Sequence, residues 1–466
     1  MAFIKSFGAT KVVTGSAHLL TLNSGKKLLI DCGMFQGENE EKNIKSLEFN
    51  SSEIDWLVFT HAHLDHVGRA PILYKDGFKG DIIATLPTLE LARIVLLDSA
   101  HLAKEEYYTY YKKAQRRGEE NLIKPPLYTP QDVESFLSLK KIYADYSTPI
   151  ILDKDLTITF HNAGHILGSS FVEICFIEDG VEKVLVFSGD LGNKNDVVLP
   201  SPKNAKKADA LYIESTYGDR NHKNMKKSIK EFKKVILKTL KHGGNILIPS
   251  FAIERTQELL CILKLMYKNG ELPDSCKIYL DSPMAIRATN VYTKHTDELS
   301  PLCQNFVQED GTVFDFPQLE YIKTQEKSIK INKILSGAII IAGSGMCSGG
   351  RILQHFKHRL WNKKNALLFV GFQAKGTLGR QIVDGTKWIH LYGEKIKINA
   401  SVHTINGFSA HADQRELIEW LKHFDKLGKV FLIHGEEEKQ IIFKKTIKKK
   451  LGIKAHIIEK DDEIYV

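Results

Sequence analysis

The sequence predicts an α/β protein in which a strand-rich region is interrupted by an inserted region with a parallel sheet. Short β-rich runs fill residues 1–216, strand-like and helical runs alternate over 217–400, and residues 401–466 return to the first pattern. A chain of 466 residues is also too long for one ordinary hydrophobic core. We therefore expect a domain divided between 1–216 and 401–466, with a second domain, 217–400, inserted between them.

The strand-rich regions consist of short runs of β-branched and aromatic residues followed by turn-forming residues, a pattern typical of strands. Examples are VVTG, KLLID, WLVFT, FVEICFI and VLVFSGD near the start and KVFLIHGE and AHIIEK near the end. One long helical pattern, Thr88–Arg117, lies among them. It follows Pro87, a residue that suits the first turn of a helix.

The region 217–400 alternates strand-like and helical runs. NILIPSF precedes ERTQELLCILKLMYK, KIYLDSP precedes AIRATNVYTKH, and GAIIIAGSGMCSGG precedes RILQHFKHRL. Repetition of strand, loop and helix indicates a parallel α/β sheet. The lysine-rich stretch Lys226–Lys241 keeps apolar residues at helical spacing, so we interpret it as the solvated face of a helix.

Composition narrows the class of protein without fixing its function. A net charge of +9 suits a polyanionic partner, although many lysine-rich proteins bind no nucleic acid. The six cysteines form no CxxC pair, which predicts free thiols in a reducing compartment. Because we find neither a signal-peptide pattern nor an apolar run long enough for a bilayer, we expect a cytoplasmic protein with no membrane partner. The oligomeric state is left open, with a homodimer as one alternative.

The segment FTHAHLDHVG, residues 59–68, is the strongest functional signal. It places His61, His63, Asp65 and His66 directly after an apolar run, where a loop can converge them on one point. Imidazole and carboxylate groups are the ligands that zinc takes when no thiol is offered, and manganese also accepts them. Further candidates follow apolar β runs and lie beside a glycine: His165, Asp190 and His434.

The order DCG, THAHLDH, AGH, SGD and a late histidine resembles the metallo-β-lactamase superfamily. The resemblance implies an αββα sandwich with a dinuclear zinc site along one edge. It also implies roles for individual residues. One zinc would be bound by His61, His63 and His165, and the other by Asp65, His66 and His434. Asp190 would bridge them, and Asp31 would orient ligands from outside.

The insertion resembles one branch of this superfamily, the β-CASP nucleases. YIESTYGD and FSAHAD resemble two of their motifs, and LIPSFAIERTQELL, LDSPMA, AGSGMCSGGR and GFQAKGTLGRQI resemble others. Glu214, His411 and His434 match motifs A, B and C. A glutamate at motif A and a histidine at motif C resemble the RNA-processing members, in particular the short bacterial and archaeal relatives of the mRNA 3′-end cleavage subunit, which are related to RNase J.

The resemblance implies a zinc-dependent ribonuclease that hydrolyses phosphodiester bonds of single-stranded RNA with a metal-activated water. His411 is then the general acid, and Glu214 holds its tautomer and raises its pKa. Glycine-rich loops that leave strands allow close approach of phosphates. We expect such contacts from Ser344 and Gly345 in GSGMCSGGR, from Arg380 in GTLGR, and from Arg255 in AIERTQ.

Three alternatives remain at this point. A small-molecule metallo-hydrolase would not need the long insertion or the pair of His411 and Glu214. A DNA nuclease of the same family is disfavoured by His434 at motif C. A non-catalytic RNA-binding scaffold would be expected to lack metal ligands, and every ligand position is filled here. His18 and His403 receive no role, and the choice between internal and terminal cleavage stays open.

Overall fold

The computed structural model describes residues 1–371, 373–460 and 462–466. Its contacts divide the chain into two compact units. Unit 1 contains Met1–Lys194, Ser201–Asn221 and His411–Val466, and unit 2 contains Asn195–Pro200 and His222–Ala410. The predicted α/β class with an inserted α/β domain is confirmed. The domain boundaries predicted after residues 216 and 400 stay a prediction.

In chain order, the described residues form the strands β1 Phe3–Gly8, β2 Ala17–Thr21, β3 Lys27–Ile30, β4 Trp56–Val58, β5 Asp81–Ala84, β6 Lys141–Tyr143, β7 Ile150–Asp153, β8 Leu156–Asn162, β9 Ser170–Glu178, β10 Val181–Phe187, β11 Lys207–Glu214, β12 Ile246–Pro249, β13 Lys277–Asp281, β14 Leu319–Tyr321, β15 Ala338–Ala342, β16 Ala366–Phe369, β17 Trp388–Leu391, β18 Glu394–Lys397, β19 Ser401–Thr404, β20 Lys426–Ile433, β21 Ala455–Ile457 and β22 Glu463–Tyr465.

The same residues form the α-helices α1 Leu64–Val67, α2 Ala70–Lys75, α3 Leu86–Gln115, α4 Pro130–Leu137, α5 Met225–Lys241, α6 Arg255–Lys268, α7 Pro283–Lys294, α8 Pro301–Asp310, α9 Gln325–Ile331, α10 Ile352–Arg359, α11 Leu378–Val383, α12 Gln414–Leu421 and α13 Glu437–Leu451. Short 3₁₀ helices lie at Gly37–Ile44, Ser51–Glu53, Glu120–Leu122 and Thr296–Glu298.

Unit 1 is built on two seven-stranded sheets. Sheet I has the order β22-β1-β2-β3-β4-β5-β6, and sheet II has the order β21-β20-β11-β10-β9-β8-β7. Their inner faces share one core, to which sheet I contributes Leu28 and Val58 and sheet II contributes Phe160, Phe187 and Tyr212. Burial of large apolar side chains between two sheets is the main favourable term holding such a sandwich together.

Helices cover the outer faces of both sheets. The ring of Phe59, which follows β4, lies 6.2 Å from that of Phe136 in α4. On sheet II, Leu211 and Val430 share a core with Trp420 of α12 and Phe443 of α13. This arrangement confirms the αββα sandwich predicted from the sequence.

Unit 2 contains a six-stranded sheet, sheet III, with the order β14-β13-β15-β12-β16-β19. Every pair of neighbouring strands in it is parallel, as the alternation of strand and helix predicted. The strands β12 and β15 are buried at every residue, which is typical of a parallel sheet covered on both faces. A two-stranded antiparallel pair, β17 with β18, completes the unit.

Two sequence-based assignments need correction. The run VVTG is not a strand; it lies in the bend between β1 and β2, where Gly15 has φ of 81° and a Cβ at that position would collide with the ring of Phe35. The β-branched residues alone misled the prediction there. The long helix begins at Leu86 instead of Thr88, because the Thr85 side chain accepts a hydrogen bond from the Thr88 N–H and caps it.

Surface features follow the expectations from composition. In α5 the apolar residues Phe232, Val235 and Ile236 are buried, whereas most of its lysines are exposed, so the lysine-rich stretch is a solvated helix face. All six cysteines are free thiols. Among the helices of the described residues, none is both long and apolar enough to cross a bilayer.

Candidate active site

The candidate site lies in unit 1, where strands of both sheets end. In sheet I the parallel strands β3 and β4 lead to Asp31 and His61. In sheet II the mutually parallel strands β10, β11 and β20 lead to Asp190, Glu214 and His434. Because the carboxyl ends of parallel strands meet at one edge, residues far apart in the chain come together here.

One group of ligand atoms joins three histidines to Asp190. The nitrogen atoms His61 Nε2 and His165 Nε2 each lie 3.1 Å from His63 Nδ1. They lie 3.4 and 3.5 Å, respectively, from Asp190 Oδ2. All four residues offer an atom within 4.8 Å of the others, so they can converge on one cation.

A second group lies on the other side of the same aspartate. His66 Nε2 is 3.1 Å from His434 Nε2, and His434 Nε2 is 3.4 Å from Asp65 Oδ2. Asp190 Oδ1 lies 3.5 Å from His66 Nε2, whereas its other oxygen faces the first group. Asp190 therefore stands between two clusters of ligand atoms, each of which could hold one ion.

The chemistry of these residues fits divalent metal ions. Ligand atoms bound tetrahedrally to zinc at about 2.0–2.1 Å lie about 3.4 Å from one another, close to the separations seen here. Asp190 Oδ1 is buried and accepts no hydrogen bond among the described residues, an arrangement that a cation would explain. Burial lowers the pKa of His63 to about 4, so its neutral imidazole offers a lone pair without first losing a proton.

Outer partners fix the orientation of the ligand rings. Asp31 Oδ2 lies 2.6 Å from His66 Nδ1, and the Thr60 hydroxyl lies 3.1 Å from His61 Nδ1. The Thr60 N–H also donates to Asp31 Oδ1 at 2.9 Å. The Thr216 hydroxyl lies 3.0 Å from His434 Nδ1. Sequence reasoning missed both threonines, although Thr60 lies within the THAHLDH motif and Thr216 lies within ESTYG.

Thr216→Val is expected to lower metal affinity about 10-fold or more, because His434 loses the group that fixes its ring while the side-chain shape is retained. A competition titration of the metal-loaded protein against a chelator would measure this. Thr239→Val is the matched control, since the Thr239 hydroxyl is buried in α5 and bonds only the Val235 carbonyl. Equal affinities for the two variants would contradict the orienting role of Thr216.

His411 and Glu214 form a pair beside the ligand clusters. His411 Nδ1 lies 3.3 Å from Glu214 Oε1 and 3.9 Å from Asp190 Oδ2. Glu214 is fully buried, and its Oε1 also accepts a hydrogen bond from the Leu191 N–H at 2.7 Å. Burial acts to lower the pKa of His411, but the carboxylates of Glu214 and Asp190 outweigh it and raise that pKa to about 9. These two carboxylates therefore favour the protonated form of the imidazole.

The residues predicted to contact phosphates lie in unit 2. Ser344 and Gly345 follow β15, and the Gly345 carbonyl accepts from Gln373 Nε2 at 2.9 Å. Arg380, in α11, is exposed and its guanidinium pairs with Asp384 at 2.7 Å. Arg255 is buried and pairs with Glu258, so its charge is already partnered inside unit 2. The roles of all four predicted residues stay predictions.

The two histidines without a predicted role lie in different units. His18 is buried on β2, with its Nδ1 2.8 Å from the Ser6 hydroxyl, and it lines a small cavity beside His66 and Asp190. Burial lowers the pKa of His18 to about 3. His403, on β19 of unit 2, lies 3.1 Å from the Ser401 hydroxyl. Neither residue offers an atom to the ligand clusters.

Comparisons with protein families account for most of the chain. A Metallo-beta-lactamase superfamily model matches residues 10–238, a Beta-Casp domain model matches 256–382, and a model of a Zn-dependent metallo-hydrolase RNA specificity domain matches 395–458. The chain is also 40% identical over 445 residues to Ribonuclease TTHA0252 of Thermus thermophilus, covering 95% of each protein. The chain belongs to the β-CASP family of metallo-β-lactamase-fold hydrolases. The resemblance seen in the sequence is thereby confirmed.

Archaeal proteins are also among the relatives of this β-CASP protein. It is 32% identical over 451 residues to Transcription termination factor FttA of Methanococcus maripaludis, covering 92% of the chain and 67% of that relative. The factor of the same name from Pyrococcus abyssi is 34% identical over 415 residues, with coverage of 86% and 60%. A crystal structure of a protein of unknown function from Enterococcus faecalis has the same fold, with a TM-score of 0.57 and 10% identity over both chains.

Membership of this family and the clustered histidine and aspartate side chains together identify a metal site in unit 1. Within the described residues, the donors of this site are imidazole and carboxylate groups, with no thiolate among them.

Proposed function

We propose that this β-CASP protein is a zinc-dependent ribonuclease that hydrolyses phosphodiester bonds of single-stranded RNA. The observation that carries the proposal is the position of His411, which lies between Glu214 and the same aspartate, Asp190, that joins the two ligand clusters. A metal centre with a protonated imidazole beside it suits hydrolysis in which a poor leaving group must be protonated. The ribonuclease relative, 40% identical over 95% of its length, supports RNA as the substrate.

The ligand clusters suit two zinc ions, and manganese is the alternative that the same donor set accepts. His61, His63 and His165 would hold one ion, Asp65, His66 and His434 would hold the other, and Asp190 would serve both. When bound, such ions provide Lewis acidity and lower the pKa of water. The two aspartates only partly neutralise two divalent ions, so the loaded site attracts an anionic phosphodiester.

The open side of the site determines how the substrate reaches it. The candidate ligands His63 and Asp65 and the proposed acid His411 are partly exposed, whereas the remaining candidate ligands are buried. A phosphodiester approaching from solvent would therefore meet the ligand atoms and the His411 ring on the same side. Hydrolysis forms a bond between the oxygen of water and phosphorus, releases one proton of that water to solvent, and breaks the bond between phosphorus and O3′. His411 supplies the proton that O3′ takes as it leaves, giving a 5′-phosphate and a 3′-hydroxyl.

Glu214 positions the acid and sets its protonation. Its carboxylate holds Nδ1 of His411, which leaves Nε2 to carry the transferable proton. The buried Leu191 N–H holds Glu214 in turn, so the pair is preorganised before substrate binds. We infer that Glu214 acts through His411, because its oxygen is already engaged by these two partners.

Glu214→Gln is expected to move the alkaline loss of kcat to lower pH. The general acid works only when protonated, so activity falls as pH rises through the pKa of His411. The Glu214 carboxylate is the largest of the groups that raise this pKa, and its removal must lower it. Bound cations lower the absolute value but do not change the sign of the difference. A pH–rate profile of both proteins measures it, and an unmoved alkaline limb would contradict the pairing.

The substrate class is tested with zinc-loaded protein and labelled oligomers of one sequence. They are single-stranded RNA and DNA, each in a linear form labelled at one end and in a circular form labelled internally. Cleavage of RNA that a chelator abolishes and zinc restores is the expected result. Cutting of circles as well as linear strands would indicate an endonuclease, and cutting of linear strands alone an exonuclease. Equal cleavage of DNA would favour the DNA-nuclease alternative.

Hydrolysis of thioester or lactam substrates, without cleavage of any oligomer, would replace the proposal by a small-molecule hydrolase. This assay uses the same metal-loaded preparation, so a negative result on nucleic acid cannot be attributed to loss of the metal. Metal content measured on the sample used for the assay serves as the control.

A further inference from the structure

The second half of α3 is a surface that the proposed reaction leaves without a role. The first turn of this helix is anchored close to the candidate metal site, because the Thr85 and Thr88 hydroxyls each donate to the Gly168 carbonyl at 2.8 Å. Gly168 lies three residues after His165. Beyond Ala100 the only buried residue of α3 is Ala114. We call residues 101–117 the α3 arm.

One side of the α3 arm carries basic and aromatic residues at a spacing of four. Lys104, Tyr108, Lys112 and Arg116 recur every fourth position and are all exposed. Side chains four residues apart on a helix lie on the same side, so these four form a continuous stripe. The Tyr108 side chain is 51% exposed, far more than a core tyrosine would be.

A second exposed aromatic residue, Tyr110, lies on the opposite side of the helix beside a cation. Tyr110 is 57% exposed, and the Lys113 ammonium lies 5.9 Å from the centre of its ring. The Tyr107 ring, which is partly buried, lies 5.7 Å from that of Tyr108 and 5.6 Å from that of Tyr111. Contact with a neighbouring ring limits the motion of Tyr108 and keeps its other face open to a ligand.

The charge of the α3 arm is positive, because five lysine and arginine residues outnumber two glutamates. The cations of the arm are Lys104, Lys112, Lys113, Arg116 and Arg117. Within the described residues, none of them makes an ion pair. Only Glu105 and Glu106 oppose them within the arm. Uncompensated cations interleaved with open aromatic faces are the combination that binds single-stranded nucleic acid, where phosphates meet the cations and bases stack on the rings.

We infer that the α3 arm binds single-stranded RNA away from the bond that is cut, with a base stacked on Tyr108 and phosphates on the stripe of cations. This inference rests on the proposed ribonuclease function. A second copy of the chain is the competing occupant. It is disfavoured because a symmetric contact would bring the same cations face to face, and lysine is depleted from interface cores.

The helix determines which RNA can reach the arm. With a rise of 1.5 Å per residue, Tyr108 lies about 30 Å along α3 from Thr88, whose hydroxyl holds the loop after His165. A short oligomer at the candidate metal site cannot extend that far, whereas a long one can. The inference therefore predicts that the arm contributes to the binding of long RNA in preference to short RNA.

The test measures dissociation constants of zinc-loaded full-length His411→Ala protein, in which cleavage is expected to be slow, for 2′-O-methyl RNA of about 5 and about 20 nucleotides. In this background, Tyr108→Ala is expected to weaken binding of the long RNA about 10-fold and to lower the preference for long over short RNA. Tyr108→Phe should keep the preference of the parent protein, since phenylalanine also stacks. Tyr110→Ala, on the opposite side of the helix, is the matched control. Helical content by circular dichroism excludes loss of α3 itself.

A charge variant provides an independent readout. Replacing Lys104, Lys112 and Arg116 by Ala should reduce the dependence of log Kd on log salt by about 2 for long RNA, because about 0.7 counterions are released per phosphate contact on a single strand. The matched control replaces Lys448, Lys449 and Lys450 on α13, which removes the same charge without an aromatic partner. It should leave the long-to-short preference unchanged.

Three results would overturn the inference. They are an unchanged preference in Tyr108→Ala, an equal loss in the α13 control, and a loss of self-association in sedimentation in place of a loss of RNA affinity. Cleavage of unmodified short RNA by the wild-type protein keeps the proposed function separate. If that cleavage occurs and the arm variants bind long RNA normally, only this inference fails. If the wild-type protein neither binds nor cuts any RNA, both fail.

Discussion

Replacing His411 by Ala is expected to lower kcat on single-stranded RNA by about 10²–10⁴ while the metal content stays at the wild-type level. The loss follows because O3′ then leaves without a positioned proton donor. The metal is retained because, among the described residues, His411 is not part of the groups of ligand atoms that surround the metal positions. Single-turnover cleavage and metal analysis on the same preparation measure the two quantities.

A control substitution at another histidine distinguishes loss of the chemical step from general damage to the protein. His423→Ala removes an exposed imidazole whose Nδ1 contacts the Glu419 carbonyl at the end of α12 and which takes no part in the ligand clusters. It should cleave RNA at the wild-type rate. If His411→Ala emptied the metal site, or if it cut RNA as fast as His423→Ala, the assignment of His411 as the acid would be wrong.

Asp190→Asn is expected to remove most of the bound metal and, with it, nearly all activity. Each carboxylate oxygen of Asp190 faces one ligand cluster, and an amide nitrogen in place of one oxygen cannot ligate a cation. Removal of an outer partner of a ligand lowers metal affinity about 10–100-fold. The metal affinity of Asp190→Asn should therefore fall by more than this. The metal-loaded wild-type protein should also unfold at a higher temperature than this variant, since a bound ion stabilises only the folded state.

Asp209→Asn is the control for the loss of an aspartate in the same sheet. Asp209 lies within β11 and accepts a hydrogen bond from the Val184 N–H, and it takes no part in the ligand clusters. Metal titration followed by thermal unfolding should find its metal content unchanged. Full metal occupancy in Asp190→Asn would show that the two clusters do not depend on a shared aspartate.

The clustering of the candidate ligand residues could be predicted because their pattern is local or tied to strand ends. His61, His63, Asp65 and His66 lie within one short loop, and His165, Asp190 and His434 each follow an apolar run. A strand ending at a sheet edge leaves little freedom for the next side chain. The structure brings these residues together without any displaced member.

Residues that act through contacts between distant segments could not be predicted in this way. Thr60 and Thr216 orient ligands, but threonine is common and carries no distinctive spacing. Arg255 shows a different limit. Its partner Glu258 lies three residues along the same helix, and only the structure shows that both are buried. The arginine charge is therefore already partnered inside unit 2, and its contact with a phosphate stays a prediction.

The exposed half of α3 shows a third limit. Its sequence turns polar toward the end, but a polar helix end can lie against a neighbour or in solvent. The structure shows that Ala114 is the only buried residue of α3 beyond Ala100. Exposure, which the sequence does not encode directly, is what makes Tyr108 available to a ligand.

The most direct test of the proposed mechanism is mass spectrometry of the cleavage products formed in water enriched with oxygen-18. Attack of water on phosphorus with release of O3′ predicts one labelled oxygen on the new 5′-phosphate and an unlabelled 3′-hydroxyl. The products should disappear with a chelator and return with zinc. Fragments that end in a 2′,3′-cyclic phosphate and a 5′-hydroxyl would contradict the account, because the RNA 2′-hydroxyl would then be the nucleophile.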